Sequence, residues 1–354
     1  MDIQILDLSS DLWSKALRKV RHDIYHLPTY LALEANRINA IPEAVLITEG
    51  EQVFFLPYLL RRLDNLVESE SRTQESFDAI SPYGYPGILL SEASTPEFIN
   101  SAIKKFVETL SSRQIYSIFI RLHPILNQDF ERKISPDFCN VTGDTISVDL
   151  HLSEAEIWQH TRSSLRTKIN RCKRRGMTSK IVPFENKIDD FISIYKETMD
   201  RLQASKSYYF THDYFSNISQ LDSQIHLGII EWQEQIICAC IFTECCGIVQ
   251  YHLGGTRTEF LHEAPSKLMF DYARFWAKER GNEFLHLGGG LGGAKDSLYH
   301  FKAGFSKQRH KFLTLRLITN EQKYNSLVNL RAKTLNIKPE KLINSGFFPA
   351  YRAS

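Results

Sequence analysis

The sequence predicts two similar domains in tandem, each with a mixed α/β fold. Its second half alternates short strands with amphipathic helices in the order β-α-α-β-β-β-α-β-α-β, and the first half repeats most of that order without visible sequence identity. The 354 residues are 43% hydrophobic and 12% aromatic, enough to fill two cores. We place the first domain at residues 1–150 and the second at 151–318. Residues 319–354 are a candidate to pack back on the first domain.

In the first half, Thr95-Pro96 is a helix-start signal, and apolar residues follow it at helical spacing. The polar segment Asp64 to Glu75 is predicted to be a surface loop. The other predicted elements of this half are the helices Asp11 to Arg21 and Pro28 to Ile38 and the strands Ile3 to Leu6, Ala44 to Thr48, Gln52 to Leu60, Phe77 to Ile80 and Ile115 to Ile120.

In the second half, Ser153 and Glu156 form a capping box at the head of a helix that we expect to run to Gly176. Pro265 starts another helix, which ends at Gly281. The other predicted elements are helices around Phe191 to Leu202, Thr211 to Gln220 and Lys295 to Ala303, and strands Lys180 to Phe184, His226 to Trp232, Gln235 to Thr243, Gly247 to Leu253, Glu283 to Leu287 and His310 to Ile318.

Composition and charge exclude several classes of protein. The net charge is only +2, so an anion-binding surface must come from local clustering. No apolar run approaches the length of a membrane span, and the N-terminal residues lack the features of a signal peptide, so a cytoplasmic protein is expected. The six cysteines lack the C-x-x-C loops that wrap zinc. We therefore expect reduced, mostly buried thiols and no metal site.

Five glycines in six residues, Gly288 to Gly293, follow a predicted strand and precede a short helix. Glycine backbone can approach a ligand closely and point its N–H groups at an anion. Gly288, Gly290 and Gly293 also satisfy the G-x-G-x-x-G pattern of dinucleotide sites. The chain after this turn is too short for the rest of a Rossmann sheet, so a dinucleotide oxidoreductase is disfavoured.

The segment between Ile157 and Phe184 carries eight Lys or Arg residues and no acidic residue. Arg162, Arg166, Ile169 and Lys173 are predicted to share one helical face, beside an apolar stripe. Such a face can simply be solvated, or it can bind phosphates through residues such as Arg166 and Arg171.

The tetrapeptide H-L-G-G occurs twice, beginning at His252 and at His286. Each copy ends one of the two predicted strands that flank the Pro265 helix, where ligands commonly bind in α/β sheets. Either histidine could instead be a core residue. Candidate groups at these strand ends are Tyr251, His252 and His286, the backbone of Gly288, Gly289 and Gly290, and Phe301 and Lys302 on the following helix.

The order of elements resembles the GNAT acyltransferase fold, and a tandem pair resembles the Fem-type aminoacyltransferases and the BioF2-like acetyltransferase domains. The segments that carry the resemblance are RSSLRTKINRCKRRG (Arg162 to Gly176), IYKETMDRL (Ile194 to Leu202), YHLGGT (Tyr251 to Thr256), PSKLM (Pro265 to Met269), LHLGGG (Leu285 to Gly290), FKAGFS (Phe301 to Ser306) and, in the first half, SPYGYPG (Ser81 to Gly87). The long helical arm of some Fem enzymes is absent.

The resemblance implies that two strands of the second domain splay apart around an acyl donor, with Lys302, His286 and Tyr251 as candidate catalytic residues. Lys302 would neutralise a phosphate or the tetrahedral intermediate, and the sequence does not rank Tyr251, Tyr83 and His286 as groups that move protons. Tyr83 and Tyr85 would contact the acceptor.

The resemblance also implies an activated co-substrate, either acyl-CoA or aminoacyl-tRNA, and no tightly bound cofactor. The usual glycine-rich loop for the CoA pyrophosphate is replaced by HEAPSKLM, in which Pro265 removes a backbone donor. The expected activity is amide formation on an amine of an amino-sugar or peptidoglycan (cell-wall) precursor, with peripheral membrane proximity if that acceptor is lipid-linked. The alternative is a non-enzymatic module that binds nucleotides or RNA on a transferase-like fold.

Overall fold

A computed structural model describes residues 1–63 and 75–353. The chain forms two compact units, Met1–Thr142 with Lys311–Ser354, and Gly143–His310. The sequence placed the domain boundaries near residues 150 and 318, at the C-terminal ends of the strands Cys139–Asp149 and Arg309–Ile318. The two units divide within the same strands but near their starts, after Thr142 and after His310. The predicted surface loop Asp64 to Glu75 lies outside the described residues, except for Glu75, which pairs with Arg62.

The described residues form thirteen strands, and most lie within a few residues of their predicted positions. They are β1 (Asp2–Leu6), β2 (Ile41–Glu49), β3 (Gln52–Arg62), β4 (Phe77–Ile80), β5 (Leu89–Leu90), β6 (Ile115–Arg121), β7 (Cys139–Asp149), β8 (Thr178–Val182), β9 (Ile225–Trp232), β10 (Gln235–Cys245), β11 (Ile248–Thr256), β12 (Phe284–Gly288) and β13 (Arg309–Ile318).

Eleven α-helices accompany these strands in the described part of the chain. They are α1 (Asp11–Leu17), α2 (Pro28–Ile38), α3 (Pro96–Ser112), α4 (Glu154–His160), α5 (Ser163–Arg174), α6 (Ile188–Arg201), α7 (His212–Ile218), α8 (Pro265–Glu279), α9 (Ser297–Lys302), α10 (Glu321–Thr334) and α11 (Pro339–Ile343).

The sheet of the first unit has the strand order β1-β2-β3-β4-β6-β13, with β5 paired to β3. All of these pairs are antiparallel except β4 with β6. One core lies between the sheet and α3, and a second lies on the opposite face against α1 and α2. The C-terminal segment packs on this unit, where Tyr351 Oη lies 2.7 Å from Ser117 Oγ and 3.1 Å from Asp78 Oδ2.

The sheet of the second unit has the order β7-β12-β11-β10-β9-β8, and its only parallel pair among the described residues is β11 with β12. Helices α5 and α8 cover one face with a large apolar core. Helix α6 packs on the other face of β11, since a Cβ added to Gly255 would meet Thr198 and Ile194. Each unit therefore repeats one plan, in which a meander of antiparallel strands leads to a parallel pair.

The last strand of each half pairs within the sheet formed mainly by the other half. Strand β7 follows β6 along the chain but pairs with β12, and β13 follows β12 but pairs with β6. This exchange explains why β7 and β13 contain the boundaries between the units.

The prediction of one helix from Ser153 to Gly176 is wrong, because α4 and α5 are separate helices. The capping box of Ser153 and Glu156 is present. Arg162 has ψ 137°, outside the helical region, and its N–H donates to the carbonyl of Gly304 at 2.8 Å. Thr161 Oγ1 accepts from buried Arg274 at 2.6 Å. These long-range bonds break the helix, so Arg162 does not lie on the face of α5 that was predicted to include it.

The predicted mixed α/β class with two similar domains in tandem is confirmed by the two repeated sheets. No helix of the described residues is long and apolar enough to cross a membrane.

Candidate active site

Strands β11 and β12 run side by side for only three residue pairs and then part. The last pair joins Gln250 to His286. Just beyond it each strand contains a β-bulge: His252 is the extra residue of β11 opposite β10, and Leu287 is the extra residue of β12 opposite β7. Bulges bend a strand and change the direction of its side chains. Both copies of H-L-G-G therefore lie where the two strands turn away from each other.

Lys302 lies beside the end of β12. It is the last residue of α9, only 6% of it is exposed, and its Nζ donates to the carbonyl of Gly289 at 2.8 Å. The same Nζ lies 5.5 Å from the centre of the Tyr251 ring on β11. A buried ammonium group is thus in contact with both splayed strands.

Burial lowers the pKa of Lys302 to about 7, and the nearby carboxylate of Asp296 opposes that shift. Asp296 is the N-terminal cap of α9, where its two carboxylate oxygens accept from the N–H groups of Tyr299 at 2.8 Å and Leu291 at 2.9 Å. Because the pKa lies near neutrality, Lys302 can change its charge during a reaction at physiological pH.

The FKAGFS motif positions Lys302 through its aromatic residues. Phe301 and Phe305 pack against Phe270 of α8, with ring centres 5.2 Å and 5.4 Å away. A Cβ at Gly304 would lie 2.5 Å from the end of the Leu165 side chain of α5, so Gly304 packs closely on that helix. The ammonium of Lys267 lies over the Phe301 ring, 4.9 Å from its centre. In this arrangement Phe301 supports the site from within the core.

His286 lies on the opposite face of the sheet from Lys302. Its Nδ1 is 2.6 Å from Oε1 of Gln250, the residue next to it on β11. Both side chains are buried, and they alternate along their strands with residues of the α8 core such as Leu285 and Tyr251. The structure thus brings Tyr251 and Lys302 together and places His286 on the other side of the sheet.

His252 faces the same side as His286. Its Nε2 lies 3.5 Å from the hydroxyl of Tyr214 on α7, at the limit of a hydrogen bond. Tyr214 in turn packs on Phe210 with ring centres 4.4 Å apart, within a cluster that includes Tyr195 and Phe215. Strand alternation explains this placement, because His252 is two residues from Gln250 and so shares its side of β11.

The glycine turn after β12 is packed against its own neighbours. A Cβ at Gly290 would lie 2.1 Å from the carbonyl of Ala294 and 2.4 Å from Asp296, and one at Gly289 would lie 2.7 Å from the carbonyl of Asp144. Gly288 has a φ of 75°, in the region that favours glycine. The turn therefore needs glycine to place the Gly289 carbonyl against Lys302.

Arg171, whose side chain is partly exposed, is bonded to other residues of this unit. Its Nη2 donates to the carbonyl of His262 at 2.6 Å and lies 3.9 Å from the buried carboxylate of Glu263, which also pairs with Arg175 and with His262. The thiol of Cys172 lies 3.2 Å from the Glu263 carbonyl. These contacts fasten α5 across the start of α8.

Arg166 differs from Arg171. Within the described parts of the chain, no carboxylate is within ion-pair distance of Arg162, Arg166, Lys168 or Arg174. Lys267 at the start of α8 has a pKa that is lowered by burial and also by the positive charge of Lys168. The first turns of α5 and the start of α8 therefore form a positively charged surface that protein carboxylates do not neutralise.

Single alanine substitutions are expected to show that Arg171 stabilises the fold and that Arg166 binds the phosphates of the donor. Arg171→Ala should lower the free energy of unfolding by about 1 kcal/mol, because it leaves the His262 carbonyl and Glu263 with fewer partners. Arg166→Ala should leave stability within about 0.5 kcal/mol and weaken binding of a phosphate-bearing donor. Urea unfolding and filter binding of tRNA measure the two effects. Equal stability of the two variants would contradict the assignment of Arg171.

Tyr83 and Tyr85 lie in the first unit, on a loop held by buried polar groups. The N–H of Tyr83 donates to the Glu34 carboxylate at 3.1 Å, and its carbonyl accepts from the Tyr30 hydroxyl at 3.0 Å. Tyr85 meets Phe312 edge to face at 5.3 Å. Between the two, Gly84 has a φ of 92°, and a Cβ there would meet the Tyr25 ring at 2.3 Å. The SPYGYPG loop is thus a fixed feature of the first unit.

Sequence reasoning missed three residues around the site: Gln250, Tyr214 and Glu263. The register of β11 with β12 places Gln250 beside His286, and His252, two residues further along β11, lies next to Tyr214. Glu263 lies immediately before the Ala264-Pro265 helix start, 92 residues after Arg171, so no local sequence signal joins the two.

Comparisons with known proteins show the fold. No protein-family model matches the sequence, and no curated protein matches it. The structure is similar to that of FemX, with a TM-score of 0.69 and 13% identity over 92% of this chain and 99% of that chain. It is also similar to the C-terminal domain of an Agrobacterium fabrum protein assigned as a lysylphosphatidylglycerol synthetase, with a TM-score of 0.53 and 13% identity over 88% of this chain and 92% of that chain.

A Bacteroides thetaiotaomicron protein of unknown function gives a TM-score of 0.53 at 9% identity, over 90% of this chain and 99% of that chain. Identities this low show a shared fold and leave the activity to be argued from the site. The chain therefore has the Fem-like fold, with two GNAT-like domains in tandem.

Proposed function

We propose that this protein is an amide-forming acyl or aminoacyl transferase whose donor binds in the second unit, between the splayed ends of β11 and β12. The observation that carries the proposal is the buried Lys302 ammonium, 2.8 Å from the Gly289 carbonyl and beside Tyr251. Acyl transfer to an amine passes through a tetrahedral intermediate with a developing negative charge on oxygen. A cation fixed in a buried site stabilises that charge more than it would in water.

In the proposed reaction, the acceptor amine attacks the carbonyl carbon of the donor and forms a C–N bond. The carbonyl oxygen takes the electron pair and is stabilised by Lys302. The C–O or C–S bond to the carrier then breaks, and the leaving group takes a proton while the amine loses one. Tyr251 is the nearest hydroxyl-bearing candidate for the proton to the leaving group. His286, a candidate catalytic residue predicted from the sequence, would act from the opposite face of the sheet, where its ring is held against Gln250.

The start of α8 bears on the identity of the donor. In GNAT-type enzymes that use coenzyme A, its pyrophosphate is expected at the N-terminal end of the corresponding helix. Here Pro265 occupies the first turn, and Arg171 and Cys172 of α5 bond to the carbonyls of His262 and Glu263 just before it. A pyrophosphate at this position would meet Pro265 where a backbone N–H donor is needed. We therefore favour aminoacyl-tRNA over acyl-CoA, with its phosphates on the positively charged surface around Arg166, Lys168 and Lys267.

The acceptor is proposed to be an amine of an amino-sugar or cell-envelope precursor that contacts Tyr83 and Tyr85. The support is chemical: two aromatic rings on a fixed loop suit stacking with a sugar or nucleotide. Arg37, whose guanidinium lies 6.0 Å from the centre of the Tyr83 ring, adds positive charge next to them.

The test is a matrix of donors and acceptors analysed by mass spectrometry. Acetyl-CoA and charged tRNAs are each combined with amine-bearing nucleotide sugars and peptidoglycan precursors, and products are searched for the mass of a new amide. We expect product with charged tRNA and none with acetyl-CoA. Product with acetyl-CoA alone would overturn the choice of donor, and RNA binding without amide from any pair would overturn the transferase in favour of a binding module.

A further inference from the structure

The C-terminal segment of the chain carries an unusual share of the positive charge. Residues 321–354 contain six Lys or Arg and two acidic residues, a net charge of +4. The other 320 residues contain 37 basic and 39 acidic residues, a net charge of −2. Arg352 pairs with Asp78, and the remaining excess of positive charge, on a chain that is otherwise slightly acidic, favours an anionic partner.

The same segment exposes large apolar side chains. Ile343 at the end of α11 and Phe347 just after it are each 54% exposed, among the most exposed large apolar residues of the described chain. Lys338 and Lys341 lie on the same short stretch and are exposed as well, with Glu340 between them. Exposed aromatic and aliphatic side chains beside lysines are the pattern of surfaces that insert into the interface of a membrane.

The loop that carries Ile343 and Phe347 has a defined conformation. The hydroxyl of Ser345 donates to the Leu342 carbonyl at 2.7 Å and accepts from the N–H of Phe347 at 3.2 Å, and Gly346 takes a φ of 76°. Leu342 on one side of the loop is buried in the core of the C-terminal segment. The apolar side chains therefore project from a fixed turn, and binding through them would not require the loop to be ordered first.

We propose that the segment from Lys338 to Phe347 docks the protein on an anionic phospholipid surface. Ile343 and Phe347 enter the interface between headgroups and acyl chains, and Lys338 and Lys341 pair with the phosphates. Charge complementarity selects the anionic lipid, since juxtaposed lysines gain from the negative surface potential of such a bilayer. A nucleic acid would use the lysines but would leave Ile343 exposed to water. This inference does not depend on the proposed transferase, because it concerns a different surface and a different partner.

The test is co-sedimentation of the full chain with phosphatidylcholine vesicles that contain or lack phosphatidylglycerol. We expect binding that requires phosphatidylglycerol and weakens with salt. The double variant Ile343→Ser and Phe347→Ser should bind about tenfold more weakly without a change in charge, and Lys338→Glu with Lys341→Glu should lose at least as much. The control is Leu202→Ser with Lys206→Glu, an exposed leucine and lysine outside the segment, which should bind like the wild type.

Circular dichroism melting of each variant shows that it is folded. Equal binding by the wild type and the two serine substitutions would overturn the proposal, as would equal binding to vesicles with and without phosphatidylglycerol. Binding of single-stranded RNA that is lost with the glutamate substitutions and kept with the serine substitutions, without vesicle binding, would replace the lipid by a nucleic acid.

Discussion

Replacing Lys302 with methionine is expected to lower kcat about 100-fold or more and, at neutral pH, to make the protein more stable. The loss of rate follows because removing one group that stabilises an oxyanion costs two to three orders of magnitude, as a rough measure. The gain in stability follows because the native state no longer holds a buried ammonium. The expected increase in unfolding free energy is about 1 to 3 kcal/mol, after the loss of the bond to the Gly289 carbonyl.

The stability effect of Lys302 has a definite dependence on pH. The pKa of Lys302 is about 7 in the native state, and that of an unfolded lysine is about 10.4. Between these values the unfolded chain binds more protons, so the stability of the wild type should rise with pH relative to the methionine variant. Urea unfolding at several pH values measures the difference. The control is Lys307→Met, which removes an exposed lysine of the same unit and should change neither rate nor stability appreciably.

A Lys302→Met enzyme that retains wild-type turnover would contradict the catalytic assignment. A variant that loses turnover and also unfolds more easily at neutral pH would instead indicate that Lys302 is structural, because a structural lysine would stabilise the fold it is buried in.

Replacing Asp78 with alanine is expected to lower the free energy of unfolding by about 3 to 5 kcal/mol. Asp78 is fully buried on β4 and accepts from Arg61 at 2.8 Å, Arg352 at 2.5 Å and Tyr351 at 3.1 Å. Alanine would leave two guanidinium groups and a hydroxyl without their shared acceptor. Since Tyr351 and Arg352 belong to the C-terminal segment, that segment should also become accessible to limited proteolysis.

The control for Asp78 is Asp129→Asn, because Asp129 has a φ of 56°, which asparagine adopts more readily than alanine. Asp129 pairs with Arg132 at 3.6 Å, but both side chains are about half exposed or more, so the change should cost less than about 0.5 kcal/mol. Chemical denaturation of both variants tests the comparison. A similar small loss for Asp78→Ala would show that the C-terminal segment is held by its apolar core alone.

Where the local sequence signals are strongest, the predicted first and last residues of a helix or strand agree with the structure. Pro28 at the start and the 3–4 pattern that follows gave the bounds of α2, and Phe77 to Ile80 gave those of β4. The side-chain oxygen of the Thr95 cap accepts a hydrogen bond from the N–H of Phe98, as expected. In each case the information is local, because the capping residue or turn lies within a few positions of the element it ends.

Features that depend on distant residues were not predictable in the same way. The break between α4 and α5 has no glycine or proline, and it is caused by Gly304 and Arg274, more than a hundred residues away. The family resemblance grouped His286 with Lys302 as candidate catalytic residues, but strand alternation places them on opposite faces. The engagement of Arg171 by Glu263 is likewise visible only once α5 lies across α8.

The most direct test of the account is the pH dependence of kcat/KM for amide formation, divided by the fraction of acceptor amine that is unprotonated at each pH. Because kcat/KM reports the free enzyme, the protonated Lys302 should appear in this profile with a pKa near 7. We predict a plateau below pH 7 and a fall of about tenfold per pH unit above it, as the ammonium is lost. A corrected profile that is flat, or that rises through pH 7, would contradict the proposal that the Lys302 ammonium stabilises the developing negative charge.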